Sequence, residues 1–490
     1  MPDVVAIARV CPGFDSIGST MNFDNSYTAL PKAFHATVSP DEVPSPALLA
    51  WNQELARELG LGSLNDEAQL AGVFSGSSAL EGSEPISMAY AGHQFGHFVP
   101  QLGDGRAALL GEIVTDAGNR FDIQLKGSGR TPFSRGGDGK SWLGPVLREY
   151  ILSEAMHRLG VPTTRALAAV ATGETVYRES PMPGAVFTRV AASHLRVGTF
   201  QFFAARNDVE SLQTLADYAI DRHYPEVKDD KSPYVGLFRR VMERQTELIA
   251  HWMSIGFIHG VMNTDNTAIS GETIDYGPAA YMDEFRFDKV FSSIDTYGRY
   301  AYANQPAIAQ WNLARLAETL LPLDVDKAEL EAVLAEFPDR YESHYLALMG
   351  PKLGLYDVQE ADAGLIAEWL KYLNDNGLDY TLSFRELASR ADALDETRFG
   401  PFETKWRQRT GSQGKTPAEI SAFMNSVNPL FIPRNHRVEQ AISEAVDGDF
   451  TVFNDMNTAL AQPYTEQPDL SVYAKAPREH ERVTRTFCGT

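Results

Sequence analysis

The amino-acid sequence predicts an α+β protein, with a small β-rich lobe followed by a large helical lobe and extensions at both ends. Three observations predict it. Between Gly103 and Val190, short segments of alternating apolar residues are separated by glycine-rich turns. From Pro233 onward, apolar residues recur at helical spacing. Within that helical part, two short polar clusters, HGVMNTDN at residues 259–266 and DYG at residues 275–277, are flanked by apolar runs. The expected units are an N-terminal extension (1–100), the β-rich lobe (101–195), the helical lobe (196–462) and a C-terminal tail (463–490).

Composition bounds the function. At 490 residues, and roughly 150 residues per domain, the chain has about three structural units. A hydrophobic content of 43% and a charged content of 22% are those of an ordinary globular protein. The net charge of -22 repels phosphate backbones and anionic surfaces, which argues against nucleic acid or membranes as partners. Local basic clusters can still hold a small phosphate ligand. No stretch approaches the roughly 20 apolar residues of a membrane helix, and residues 1–20 lack the apolar run of a signal peptide. Met21 is a candidate start. Cys11 and Cys488 are the only cysteines, so neither a disulfide framework nor a CxxC metal site exists. Cys488 is either an inert thiol or a reactive one on the tail. A cytoplasmic monomer is expected.

In chain order, residues 46–60 read as a helix, with Pro46 near its start and Gly60 as its stop. His93 and His97 have the i, i+4 spacing of a helical metal site. Gly92 and Gly96 oppose a helix there, and structural packing is the favoured reading. Residues 103–106, GDGR, form a tight turn into a strand at 107–114, and a second strand at 119–126 returns to Lys126. Such a turn lets backbone N–H groups approach phosphates closely. Lys126 alone would pass for a solvated strand end. Glu149 changes that: it lies on a helix over 145–160 and shares its inward face with Val146 and Met156. A carboxylate facing a core wants a cation, and a strand lysine paired with a helix glutamate is the arrangement used in protein kinases.

Residues 127–140 are glycine-rich and basic. They miss the P-loop pattern because Ser134 stands where it needs glycine, yet a glycine loop leading into a helix start is either an anion cradle or a plain flexible loop. Strands at 166–172 and 184–190 complete a small sheet and lead to a hinge carrying Arg189 and Arg196. These are either ordinary surface arginines or phosphate ligands. In the second case the phosphate tail runs toward the hinge, opposite to its direction in a kinase. A long helix at 233–256 then delivers the chain to His259, and helices over 307–321, 327–349, 363–376, 417–427 and 436–446 serve as scaffold. The three prolines and many charges after residue 463 suggest an extended tail.

The eight residues 259–266 have the length of the kinase catalytic loop H-R-D-L-x-x-x-N, and DYG stands where D-F-G would. Together with the two patterns above, this predicts a protein-kinase-like, two-lobed fold. Val261 occupies the place of the catalytic aspartate. Two carboxylates and a carboxamide, Asp265, Asp275 and Asn266, still suit a magnesium–nucleotide site.

These motifs resemble the selenoprotein O family of protein adenylyltransferases. The resemblance runs from Phe23 to Cys488 and is carried by QFGHF from Gln94, QLGDGR from Gln101, QLKGSGRTPFSR from Gln124, DGK from Asp138, RVGTF from Arg196 and HGVMNTDN from His259. It implies a kinase-like enzyme that transfers AMP from ATP to protein hydroxyls, with Mg²⁺ or Mn²⁺. It further implies that Gly103, Gly105, Arg106, Lys126, Asp138, Gly139, Arg189 and Arg196 meet the nucleotide, and that Glu149 holds Lys126. Asp265 would be the general base, and Asn266 and Asp275 the metal ligands. The flipped nucleotide of the family presents its α-phosphate to the acceptor, which agrees with the hinge arginines. The chain departs from members whose tail carries a redox-active pair, because Cys488 has no neighbouring cysteine. Two alternatives remain at this level: phosphorylation with Asp265 as base, and an ATP-binding pseudokinase scaffold, motivated by Val261.

Overall fold

The structure is a computed structural model that describes residues 23–393 and 398–487. Met21, Cys11 and Cys488 lie outside the described residues.

The first half of the chain builds an eight-stranded antiparallel sheet. In chain order its elements are β1 (His35–Thr37), β2 (Ala47–Trp51), α1 (Gln53–Glu58), α2 (Glu67–Ser75), β3 (Ile86–Met88), the hairpin β4 (Gly92–Gln94) and β5 (His97–Val99), β6 (Ala107–Val114), β7 (Arg120–Lys126), β8 (Ser141–Trp142), α3 (Leu143–Arg158), β9 (Arg165–Tyr177) and β10 (Pro181–Ala191). The sheet order is β1-β3-β6-β7-β10-β9-β2, with β8 on β10, while β4 and β5 pair only with each other. Strand alternation sorts the two faces. Ile123, Leu125, Val186 and Val190 pack with Leu55, Leu70 and Phe74 under α1 and α2. Phe187 packs with Val146, Leu147 and Ile151 of α3 on the other face, which is also where Lys126 and Arg189 project toward Glu149.

The single helix expected over residues 46–60 is not formed. Ala47–Trp51 is a strand paired with β9, Ala47 opposite Ala171 and Trp51 opposite Ala168. The helix begins only after Asn52, whose side chain accepts from the Leu55 N–H at 3.1 Å. A short apolar run has no period that separates strand from helix, and the free edge of β9 decides it.

After β10 the chain is mainly helical: α4 (Val197–Ala204), α5 (Val209–His223), α6 (Pro233–Ser254), two short strands β11 (Phe257–Ile258) and β12 (Ala280–Tyr281), then α7 (Gln305–Leu320), α8 (Lys327–Ala335), α9 (Phe337–Lys352), α10 (Asp362–Asn376), α11 (Tyr380–Ser389), α12 (Gly400–Gly411), α13 (Pro417–Val427), α14 (Asn435–Val446) and α15 (Thr451–Leu460). The predicted stripe of α6 is buried through Leu237, Val241, Gln245, Leu248 and Trp252. The helix expected over 327–349 is two helices. Pro338, lacking an N–H and unable to continue a helix interior, opens α9.

Buried charge ties α5 to the sheet. Arg222 bridges Glu112 of β6 at 2.5 Å and Asp122 of β7 at 2.6 Å, and Asp122 also accepts from the His194 backbone N–H at 2.9 Å. The described part of the segment after residue 463, to residue 487, is docked rather than free. Residues Pro468–Ala474 form a 3-10 turn, and Thr486 exchanges backbone hydrogen bonds with Phe291 and Ser293 at 2.8 and 3.0 Å. Among the described residues, no helix is long and apolar enough to cross a membrane.

Candidate active site

Strands β11 and β12 pair antiparallel, Phe257 with Tyr281 and Ile258 with Ala280. Their closure lays the 259–266 and 275–277 loops side by side, as the sequence predicts. His259 works beneath the loops. It is buried, stacks on Trp252, donates from Nε2 to the Ile274 carbonyl at 2.8 Å and takes the Gln305 carboxamide on its own N–H at 3.0 Å. Burial lowers its pKa, so it is a neutral brace between the two loops.

A 3-10 turn, Thr264–Asn266, presents Asp265. Its backbone carbonyl accepts from Arg196 Nη1 at 2.9 Å and its Oδ2 accepts from Gln94 Nε2 at 3.0 Å, while Oδ1 is buried with no partner. Burial pushes this carboxyl up to about 6, against the pull of Gln94 and Arg196. Asn266 donates from its amide nitrogen to the Val261 carbonyl at 2.9 Å. Val261 therefore contributes backbone where a kinase has its base.

Asp275 sits at a left-handed φ of 65° and is held by three cations. Its Oδ1 meets Lys126 Nζ at 2.7 Å and Arg189 Nη2 at 2.5 Å, and its Oδ2 meets Arg196 Nη1 at 3.2 Å. Glu149 completes a ring, with Oε2 on Lys126 at 2.7 Å and Oε1 on Arg189 Nε at 3.1 Å. Burial alone would raise both carboxyls; Arg189 and Lys126 outweigh it and hold Glu149 below the usual range and Asp275 well below it. Arg189 and Arg196 are 1% and 3% exposed, so neither is a surface arginine. Arg196 also lies under the Tyr90 ring at 4.6 Å.

The glycine-rich segment folds onto the GDGR turn. Thr131 Oγ1 donates to the Asp104 carbonyl at 2.6 Å and Ser134 Oγ to that of Gly105 at 2.5 Å. A Cβ at Gly103 would fall 2.4 Å from the Phe133 ring, so only glycine admits this closure. Asp138 accepts the Lys140 N–H at 3.0 Å and pairs with Arg178 at 2.8 Å.

Gly103, Gly105, Arg106, Lys126, Asp138, Gly139, Glu149, Arg189, Arg196, Asp265, Asn266 and Asp275 all line one cavity of about 810 Å³. The structure thus brings together every residue that the resemblance assigns to the nucleotide, the base or the metal. Sequence reasoning missed Gln94, Arg178 and Tyr90, which line it too. Gln94 stood inside a quoted motif without a role. His93 and His97 are in the β4–β5 hairpin, where His93 Nδ1 bonds Gln201 at 2.8 Å and its ring packs on Trp311.

A family model described as protein adenylyltransferase SelO matches residues 18–461. A protein nucleotidyltransferase YdiU of Agrobacterium fabrum is 57% identical across 96% of this chain and 100% of its own length. Proteins of the same name from Rhizobium leguminosarum bv. trifolii and Bradyrhizobium diazoefficiens are 56% and 53% identical, each across 96% of this chain and nearly all of their own lengths. With the match spanning most of the sequence and both polar loops inside it, the chain belongs to the SelO family of protein adenylyltransferases.

Proposed function

We propose that this chain transfers AMP from ATP to the hydroxyls of Ser, Thr or Tyr side chains in target proteins and releases diphosphate. The observation that carries the reading is Asp265, a buried carboxylate with raised proton affinity, opening on the same cavity as Lys126, Arg189 and Arg196. In this reading the fold is a kinase-like, two-lobed one. Residues 101–195 form the β-rich lobe, joined in its sheet by strands from the 1–100 segment. Residues 196–462 form the helical lobe and 463–490 the tail, in a cytoplasmic protein.

The acceptor hydroxyl gives its proton to Asp265 as its oxygen bonds to the α-phosphorus, and the bond from that phosphorus to the diphosphate breaks. Little covalent work falls to the protein. Lys126, held by Glu149, acts with Arg189 and Arg196 to stabilise the charge that develops on the phosphates. The backbone at Gly103, Gly105 and Gly139, with Arg106 and Asp138, holds the rest of the nucleotide. Asn266 and Asp275 line the same cavity and offer a carboxamide and a carboxylate oxygen, hard donors that suit a divalent cation such as Mg²⁺ or Mn²⁺, which takes only one or two ligands from protein. Asn266 and Asp275 would hold that cation, which neutralises phosphate charge when bound.

Incubating the protein and a cell lysate with ATP labelled separately at the α- and γ-phosphates tests the reading. Label in protein from α alone is expected. Label from γ alone would make the chain a kinase, and none from either a nucleotide-binding pseudokinase.

A further inference from the structure

We propose that Gln94 is a positioning residue for the transfer step, setting the rotation of the Asp265 carboxylate and presenting Oδ2 to the acceptor hydroxyl. The inference rests on the function proposed above and adds a residue from a part of the chain far from the catalytic loop.

The geometry leaves Asp265 one side-chain tether. Gln94 Nε2 reaches Oδ2 at 3.0 Å. Oδ1 is closed off: it is buried without a partner, and a Cβ built on Gly92 would fall 2.6 Å from it. Oδ2 is therefore the oxygen with room for a hydroxyl. A carboxylate oxygen has two lone-pair sites, so one can take Gln94 and the other the proton of the acceptor. Without the Gln94 bond, no other side chain donates to the carboxylate to oppose its rotation about the χ2 bond, which is a broad and soft torsion.

The hairpin is built to hold Gln94 there. Its turn residues, Phe95 and Gly96, have φ of 51° and 85°, the double left-handed pattern of a tight two-residue turn. Phenylalanine pays roughly 1 kcal/mol or more for that conformation, and the catalytic loop supplies the compensation. The Phe95 N–H donates to Asn263 Oδ1 at 3.1 Å and to the Tyr300 hydroxyl at 3.2 Å, and Tyr300 itself donates to Asn263 Oδ1 at 2.7 Å. On the preceding strand, the His93 N–H donates to Thr264 Oγ1 at 2.6 Å, and Thr264 donates to Gln201 at 2.6 Å. Backbone on both sides of Gln94 is thus pinned to the two residues that precede Asp265, Asn263 and Thr264. Gln94 is the hairpin's side-chain hydrogen bond to the carboxylate itself. An uncharged donor suits the task, because it orients the carboxylate without introducing a competing cation.

The test uses the full chain, α-labelled ATP and a fixed amount of cell lysate as acceptor. Gln94→Met keeps the side-chain volume and removes the donor; Gln94→Glu keeps the shape and sets a carboxylate against Asp265. Both are expected to lower the maximal rate of label transfer by about 10- to 100-fold, the scale of a small misplacement of a catalytic group. In Gln94→Met the half-saturating ATP concentration should stay within about two-fold of wild type and the melting midpoint should not move. A purely structural role would shift the midpoint, and a nucleotide-binding role the half-saturating ATP. Either of those shifts accounting for the loss, or wild-type maximal rates in Gln94→Met or Gln94→Glu, would overturn the inference. Wild-type protein that transfers no α-label overturns instead the function on which it rests.

Discussion

Asp265 is the residue whose chemistry is most exposed to experiment. Its carboxyl is pushed up to about 6 because burial disfavours the charged form more than Gln94 and Arg196 favour it. A base must be deprotonated to act, so the transfer rate should rise with pH through about 6 and level off above it, as a pH–rate profile at saturating ATP would reveal. Asp265→Asn should lose about 10²- to 10⁴-fold in rate while retaining ATP binding by calorimetry. Lys126→Met should act differently. It removes one of the cations on Asp275 and Glu149, so nucleotide affinity should fall together with rate. At this scale the sequence was informative where chemistry has a signature. Lys126 and Glu149 could be paired because a carboxylate on an inward helix face needs a cation. The arginines stayed ambiguous because nothing in their spacing tells burial from exposure, and Gln94 was invisible as an actor because a glutamine beside a turn carries no charge pattern to read.

Elements divide along the same physical line. Long amphipathic helices such as α6 were legible, since twenty-odd residues average out local irregularity. The segment 46–60 was not: its first half has an apolar run that only the edge of β9 turns into a strand, and that edge is more than a hundred residues away in sequence. The break between α8 and α9 was present in the sequence as Pro338 and needed only the rule that proline ends one helix and opens the next. α5 shows how elements are fastened as well as formed. Removing its Arg222 leaves buried Asp122 without its arginine and Glu112 with only the Arg120 bridge, so Arg222→Ala should cost about 3–5 kcal/mol of stability, measured as a lower denaturant midpoint. Gly92→Ala makes the converse point. Its Cβ would meet Asp265 Oδ1 at 2.6 Å, so the variant should lose transfer activity out of proportion to any change in melting midpoint.

For the molecule as a whole, the sequence conveyed a β-rich part before a helical part, and loops placed to face one another. It did not convey that the tail would return to the loops: prolines and charges mark a segment as irregular without saying where it lies. Thr486 is bridged to Phe291 and Ser293, and its Oγ1 donates to the Pro278 carbonyl at 2.5 Å, just beyond the 275–277 loop. Truncation before Arg485 should therefore speed limited proteolysis between residues 283 and 300 and lower the transfer rate several-fold. The same long reach governs the β4–β5 hairpin. Its bonds to Thr264 and Asp265 span 171 residues of sequence, which at 5–20 residues per second is roughly 10–30 s of translation. For that interval a growing chain holds Gln94 and the nucleotide-facing glycines but no base to orient. Contacts so distant in sequence are also the costly ones to close during folding. Competence to modify other proteins is thereby deferred until the catalytic loop has been synthesised and clamped by the hairpin.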